Sequence, residues 1–171
     1  MQHKTKKNNF AYIDGNNLYR GIKKSGWTID LIRFRKWLYD KYGVVRAYYF
    51  IGLVPEEKEL HSFLQKAGFI LIFKEVAYTA DGEIKGNCDA DLVLEAVRDV
   101  YENKCDKQIL VASDGDYSSL IKFLISKDKL KIILSPSVEK KCSILLKKIG
   151  APITYLKEVR EMLELKRKNP R

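Results

Sequence analysis

The sequence predicts an α/β protein: a three-layer sandwich whose central sheet is mostly parallel. Three observations predict it. Short apolar runs alternate with segments of helical spacing over residues 10–156, the pattern of strands joined by crossover helices. Ile109-Leu110-Val111-Ala112 is apolar at four consecutive positions, as a strand buried on both faces must be. Two of the runs end in an Asp-Gly turn, Asp14-Gly15 and Asp114-Gly115. Each delivers a carboxylate to the sheet edge where open α/β folds bind ligands.

The elements follow in order. Residues 10–13 form a first strand, and Leu18, Tyr19 and Ile22 a short helix ending near Gly26. Thr28 or Asp30 caps a helix carrying Ile29, Ile32, Phe34, Trp37, Leu38 and Tyr42, and Gly43 ends it. Residues 44–54 are β-branched and aromatic, a second strand. Pro55 opens a helix with Glu56 and Glu57 in its first turn, as the helix dipole favours. That helix closes at Gly68, and 69–73 is a third strand. Residues 76–79 and 83–85 flank Asp81-Gly82 as a hairpin, and a long helix begins after Gly86-Asn87. The strand ending at Ala112 leads through Ser-Asp-Gly-Asp into a helix with Tyr117, Leu120, Ile121 and Leu124. Residues 130–134 are another strand. Val138, Cys142, Leu145, Leu146 and Ile149 then predict one continuous helix up to Gly150, followed by an edge strand at 153–156 and a last, charged helix. There is no internal repeat and no interdomain linker. The expectation is a single domain over 10–165 between basic tails at 1–9 and 166–171.

Composition narrows the function classes. With 46% hydrophobic and 32% charged residues, the chain has the makeup of a globular protein. No apolar run is long enough for a membrane span, and the polar N-terminus has no signal-peptide core, so the expected location is the cytoplasm. Cys88, Cys105 and Cys142 are far apart, and only His3 and His61 could join them, which argues against a zinc site or a disulfide framework. The net charge is +10, and seven of the 32 basic residues lie in the two tails, which hold no acid. Basic tails suit polyanions such as nucleic acid; they are also common as solvated ends. There is no GxGxxG and no GxxxxGK[ST], so neither the usual dinucleotide turn nor a P-loop is supported.

Four carboxylates can converge. Asp14 and Asp114 end strands, and Asp116 lies in the turn beyond. Asp89 stands three and four residues before Leu92 and Val93, at the N-terminal end of the apolar stripe Leu92, Val93, Ala96, Val97, Val100 and Tyr101. It therefore points toward the core. Asp91 aligns with Glu95 and Asp99, the polar face. Each acid has a simpler explanation as a helix cap or turn former. Clustered carboxylates raise one another's pKa, and a cation relieves them. An all-oxygen set suits Mg²⁺ or Mn²⁺, and such a site among basic residues suits a phosphodiester. Lys85 is the nearest lysine to hold one, with a solvated hairpin position as the alternative.

Ile13-Asp14-Gly15-Asn16-Asn17-Leu18, then Lys85-Gly86-Asn87-Cys88-Asp89-Ala90-Asp91-Leu92, then Ser113-Asp114-Gly115-Asp116-Tyr117 resemble, in order and spacing, the NYN domain, the LabA-like branch of the PIN-like nucleases. The resemblance implies a PIN-like, Rossmann-like topology and a metal-dependent ribonuclease. It matches Asp14 to the first-strand metal ligand, Asp89 to the helix acid, and Asp114 and Asp116 to the acids after the fourth strand. Asn17 matches the polar residue after the first Asp-Gly, and Asp91 belongs to the LabA-like variant. Cys88 stands where a small aliphatic is common and Tyr117 where Phe is common.

The expectation is a Mg²⁺- or Mn²⁺-dependent endoribonuclease. Asp14, Asp89, Asp114 and Asp116 are its catalytic acids and, with Asp91, its metal ligands. Asn17, Lys85 and Ser113 are its candidate substrate contacts. RNA, single-stranded first, is the expected partner, and a homodimer is compatible with the sequence. The alternative is an RNA-binding or regulatory module with a weakly active pocket. An Asp-nucleophile phosphatase would need DxDx[TV], which Asp14-Gly15-Asn16 does not supply.

Overall fold

β1 (Asn9–Asp14) is buried along its whole length and has a parallel neighbour on each side, as the run of apolar residues requires. A computed structural model describes residues 7–74, 77–81, 84–85 and 88–166. From β1 the chain passes through α1 (Gly15–Lys24) and α2 (Leu31–Tyr42) to β2 (Val44–Gly52), then α3 (Lys58–Lys66) and β3 (Ile70–Lys74). A small antiparallel hairpin, β4 (Ala77–Tyr78) and β5 (Ile84–Lys85), precedes α4 (Asp89–Tyr101). The chain then returns to the other side of β1 as β6 (Gln108–Val111). It continues outward through α5 (Ser118–Ser126), β7 (Leu130–Ser135), α6 (Ile144–Lys148), β8 (Ile153–Tyr155) and α7 (Arg160–Leu163).

The six-stranded sheet has the order β3-β2-β1-β6-β7-β8 and every pair in it is parallel. The winding direction reverses between β1 and β6. The connections leaving the two strands, to α1 on one face and α5 on the other, part at such a switch point and leave a crevice at the strands' C-terminal ends. Asp14 and Ser113-Asp114 stand at this crevice.

The two-residue period of β1 divides the core. Ala11 and Ile13 pack with Leu18, Ile22, Phe34, Leu38, Leu64 and Leu163, under the α1, α2, α3 and α7 layer. Phe10 and Tyr12 pack with Leu92, Ala96, Leu120, Ile121, Leu124 and Leu146, under α4, α5 and α6. Asp14 continues the Phe10–Tyr12 side, so its carboxylate is aimed at the layer that carries α4. Asp30 caps α2 through Ile32 N and Arg33 N, and Gly43 closes it at φ 66°, the left-handed position that glycine occupies without penalty.

Two sequence expectations change. The single helix expected after Val138 is broken: a 3₁₀ turn at Glu139–Lys141 ends in extended Cys142, and Ser143 caps a new, five-residue α6. Ser143 N donates to Ser113 O at 3.0 Å, so the break lets this segment pack against the end of β6. Asp99, placed on the polar face of α4, is fully buried, while Tyr101, placed on the apolar stripe, is 72% exposed. The buried stripe is Leu92, Ala96, Asp99. Asp99 Oδ2 accepts from the Tyr12 hydroxyl at 2.7 Å, and Lys104 Nζ lies 3.3 Å from Oδ1. Among the described residues no helix is long and apolar enough to cross a membrane. Most of both basic tails, and Gly86-Asn87 of the central motif, lie outside the described residues.

Candidate functional site

Asp14 is the last residue of β1 and only 6% exposed. It does two things at once. Oδ1 caps α1, accepting from Asn17 N at 2.9 Å, the role that turn chemistry alone assigns. Oδ2 accepts from the Tyr117 hydroxyl at 2.8 Å. Burial pushes the Asp14 carboxyl above its ordinary range. The Asn17 N–H and the Tyr117 hydroxyl pull it partly back, and Asp89 and Asp114 push it up again.

Asp89 is the first residue of α4, after Cys88 at the cap position, and is half-buried. Its Oδ1 lies 2.8 Å from the same Tyr117 hydroxyl. One phenol therefore touches two carboxylates from segments 75 residues apart in sequence. A phenol carries a single proton. That proton can lie toward only one of the two acids at a time, so the phenol holds the carboxyls at a shared oxygen. Tyr117 itself is buried and its hydroxyl is held strongly protonated by burial and by these two acids.

Asp114 and Asp116 are exposed. Asp114 precedes the 3₁₀ turn Gly115–Tyr117 without using its side chain as a cap, and it is close enough to Asp14 to raise its pKa. Asp91 is half-buried and ion-paired with Lys74 of β3, Nζ to Oδ2 3.2 Å. Asn17 and Ser113 bind each other: the Ser113 N–H donates to Asn17 Oδ1 at 2.9 Å, and the Ser113 hydroxyl lies 3.0 Å from the same oxygen and 2.9 Å from Ser137 Oγ. They fasten the α1 start to the end of β6 across the crevice. Lys85 lies on β5, and its side chain falls outside the described residues. The Cys88 thiol is pushed up to about 11, chiefly by burial and then by Asp14, Asp91 and Asp89. It is a poor nucleophile.

The structure thus joins Asp14 and Asp89 through the Tyr117 hydroxyl, brings Asp114 close enough to act on Asp14, and leaves Asp116 exposed in the following turn. Among the described residues no three Asp, Glu, His or Cys side chains form a ready set of metal ligands. The donor chemistry still fits a hard divalent cation: the central groups are carboxylates, and one is raised by burial and further by Asp89 and Asp114. The hydroxyl that links the acids escaped the sequence reading because Tyr117 also completes the apolar stripe of α5, which explains it as core. The signal available was its polar end, next to Asp116 and three residues after Asp114.

Comparison with known proteins gives the family and the fold. The chain is 25% identical over 126 residues to the low amplitude and bright protein LabA of Synechococcus elongatus, covering 68% of this chain and 67% of that protein. A crystal structure of a protein of unknown function from Vibrio parahaemolyticus shares the fold, with a TM-score of 0.73 at 23% identity over 96% of this chain and all of that one. The NYN domain model matches residues 11–149, a span that holds Asp14, Asp89, Asp114 and Asp116, and the chain belongs to the NYN domain family.

Proposed function

We propose that this NYN domain is a metal-dependent endoribonuclease. The observation that carries this reading is the Tyr117 hydroxyl between Asp14 and Asp89, 2.8 Å from each: it brings two acids from distant segments together at a switch-point crevice. Asp14 and Asp89 would hold Mg²⁺ or Mn²⁺, with Asp114 on the exposed side and Asp91 in reserve beside Lys74. When bound, such an ion supplies an acidified water for attack on phosphorus and positive charge for the leaving oxygen.

The chain's own residues do the rest. Asp14 is fixed by its cap on α1 and by Tyr117, so its carboxylate cannot swing away. Tyr117 sets the spacing between Asp14 and Asp89. Asp116, exposed in the turn that carries Tyr117, orients the attacking water. Asn17 Oδ1 is taken by Ser113, which leaves the Asn17 amide N–H groups for a phosphate oxygen. In-line hydrolysis leaves a 5′-phosphate and a 3′-hydroxyl.

One observation favours a second reading, an RNA-binding or regulatory module with weak turnover: three ligands do not stand ready together among the described residues. Labelled single-stranded RNA incubated with Mn²⁺, Mg²⁺ or EDTA, beside the Asp14→Asn variant, separates the two. Cleavage that needs metal and is lost in the variant supports the nuclease; binding without cleavage under any metal supports the module; cleavage that survives the variant refutes the site.

A further inference from the structure

α1 leaves the site with one face buried and one face open. Leu18, Gly21 and Ile22 point inward. The outward stripe is Asn16, Tyr19, Arg20 and Lys23, at helical spacing, with Lys24 beside it, all exposed. It begins two residues after Asp14. No residue of α1 is acidic, so the stripe carries three cations and no opposing charge of its own. Tyr19 is 61% exposed. Lys23 Nζ lies 5.4 Å from its ring centroid and 3.3 Å from its hydroxyl. A single exposed aromatic is ordinary on a protein surface. An aromatic face beside a cation, on a stripe that runs into an acidic crevice, pairs a surface for a base with a charge for its phosphate.

We propose that the outward face of α1 is the path of single-stranded RNA into the site: Tyr19 stacks one base, and Arg20 and Lys23 neutralise the adjoining phosphates. This rests on the ribonuclease reading and adds the route of the strand and the residues that hold it. Duplex RNA keeps its bases stacked on one another and cannot use Tyr19 in this way. A single strand can, because every base has a π-face.

The molecule holds its own control. Tyr101 is 72% exposed, with Lys127 Nζ 6.0 Å from its ring centroid. It is the same chemistry at the far end of α4. Twelve residues of helix put it about 18 Å from Asp89.

The test is fluorescence anisotropy of a labelled oligouridine 12-mer, in EDTA, with the Asp14→Asn protein as the parent. Binding is then read without turnover, so failure here is distinct from failure of the cleavage assay. Tyr19→Ala is expected to weaken binding roughly tenfold with the salt dependence unchanged. Arg20→Gln with Lys23→Gln is expected to flatten the slope of log K against log salt by about 1.4, at about 0.7 per phosphate on a single strand. Tyr101→Ala is expected to bind as the parent does. All these positions are exposed, and thermal melts confirm folding. Parental affinity in Tyr19→Ala, or an equal loss in Tyr101→Ala, overturns the proposal. So does a duplex that binds as tightly as the single strand and loses as much with Tyr19→Ala.

Discussion

Asp14→Asn is expected to stabilise the fold in metal-free buffer while abolishing cleavage. The buried Asp14 carboxyl and Asp89 both contact the single phenol of Tyr117. Asparagine keeps the α1 cap, since its Oδ1 still accepts from Asn17 N. Its Nδ2 donates to the Tyr117 oxygen and frees the phenol proton for Asp89. One contact without a hydrogen becomes a hydrogen bond, and a buried charge is removed. Together these amount to on the order of 1–2 kcal/mol. In a domain of this size each kcal/mol moves the melting midpoint by about 2–4 °C, so the variant should melt about 2–8 °C higher. The pH dependence has a definite sign. The native carboxyl sits above the unfolded value of 3.8, so the native state keeps a proton that the unfolded state has released. This contribution favours the fold at low pH and is lost as pH rises from about 3.8 through the native value. Thermal melts of both proteins in EDTA from pH 4 to pH 8 test it. The wild type should fall behind the variant as pH rises. A variant that melts below the wild type at pH 7, or a gap that does not change with pH, refutes the reasoning.

Three further outcomes are expected. Tyr117→Phe removes the hydroxyl between Asp14 and Asp89; the rate of RNA cleavage should fall about tenfold, equivalent to about 1.4 kcal/mol, with RNA affinity in EDTA unchanged, and full activity would refute the positioning role. Adding Mn²⁺ at ten times its dissociation constant should stabilise the wild type by about 1.4 kcal/mol and leave Asp14→Asn unmoved, as read by parallel melts. Asp99→Ala strips the buried partner from the Tyr12 hydroxyl; urea denaturation should show a loss of about 1–3 kcal/mol while folded protein cleaves RNA at the wild-type rate.

The sheet was legible because each of its strands is a compact apolar block, and its parallel order follows from the intervening helices. What was not legible is tertiary. The expected helix through Cys142 has adequate spacing, but the segment gains more from meeting the end of β6, where Ser143 N finds Ser113 O. Asp99 has the spacing of a polar face with Asp91 and Glu95. Its burial is set by Tyr12, 87 residues away, which no local pattern reveals. At the site, Asp14 and Asp114 were legible from strand-then-turn, and the inward direction of Asp89 from its place before Leu92. Their actual connection through Tyr117 depends on a side chain that local periodicity already explained as core. Asn17 and Ser113, read as substrate contacts, also meet each other through Asn17 Oδ1, a pairing 96 residues apart that no local pattern reveals.

The central claim is that the acids of this crevice direct water onto an RNA phosphodiester. The ends of the RNA fragments test it most directly. Among the described residues His61 is the sole imidazole, and it is buried on α3 against Phe73; in the proposed mechanism water, rather than the RNA 2′-hydroxyl, makes the attack. Fragments produced in Mn²⁺ should carry 5′-phosphates and 3′-hydroxyls. Fragments ending in 2′,3′-cyclic phosphates would contradict the account.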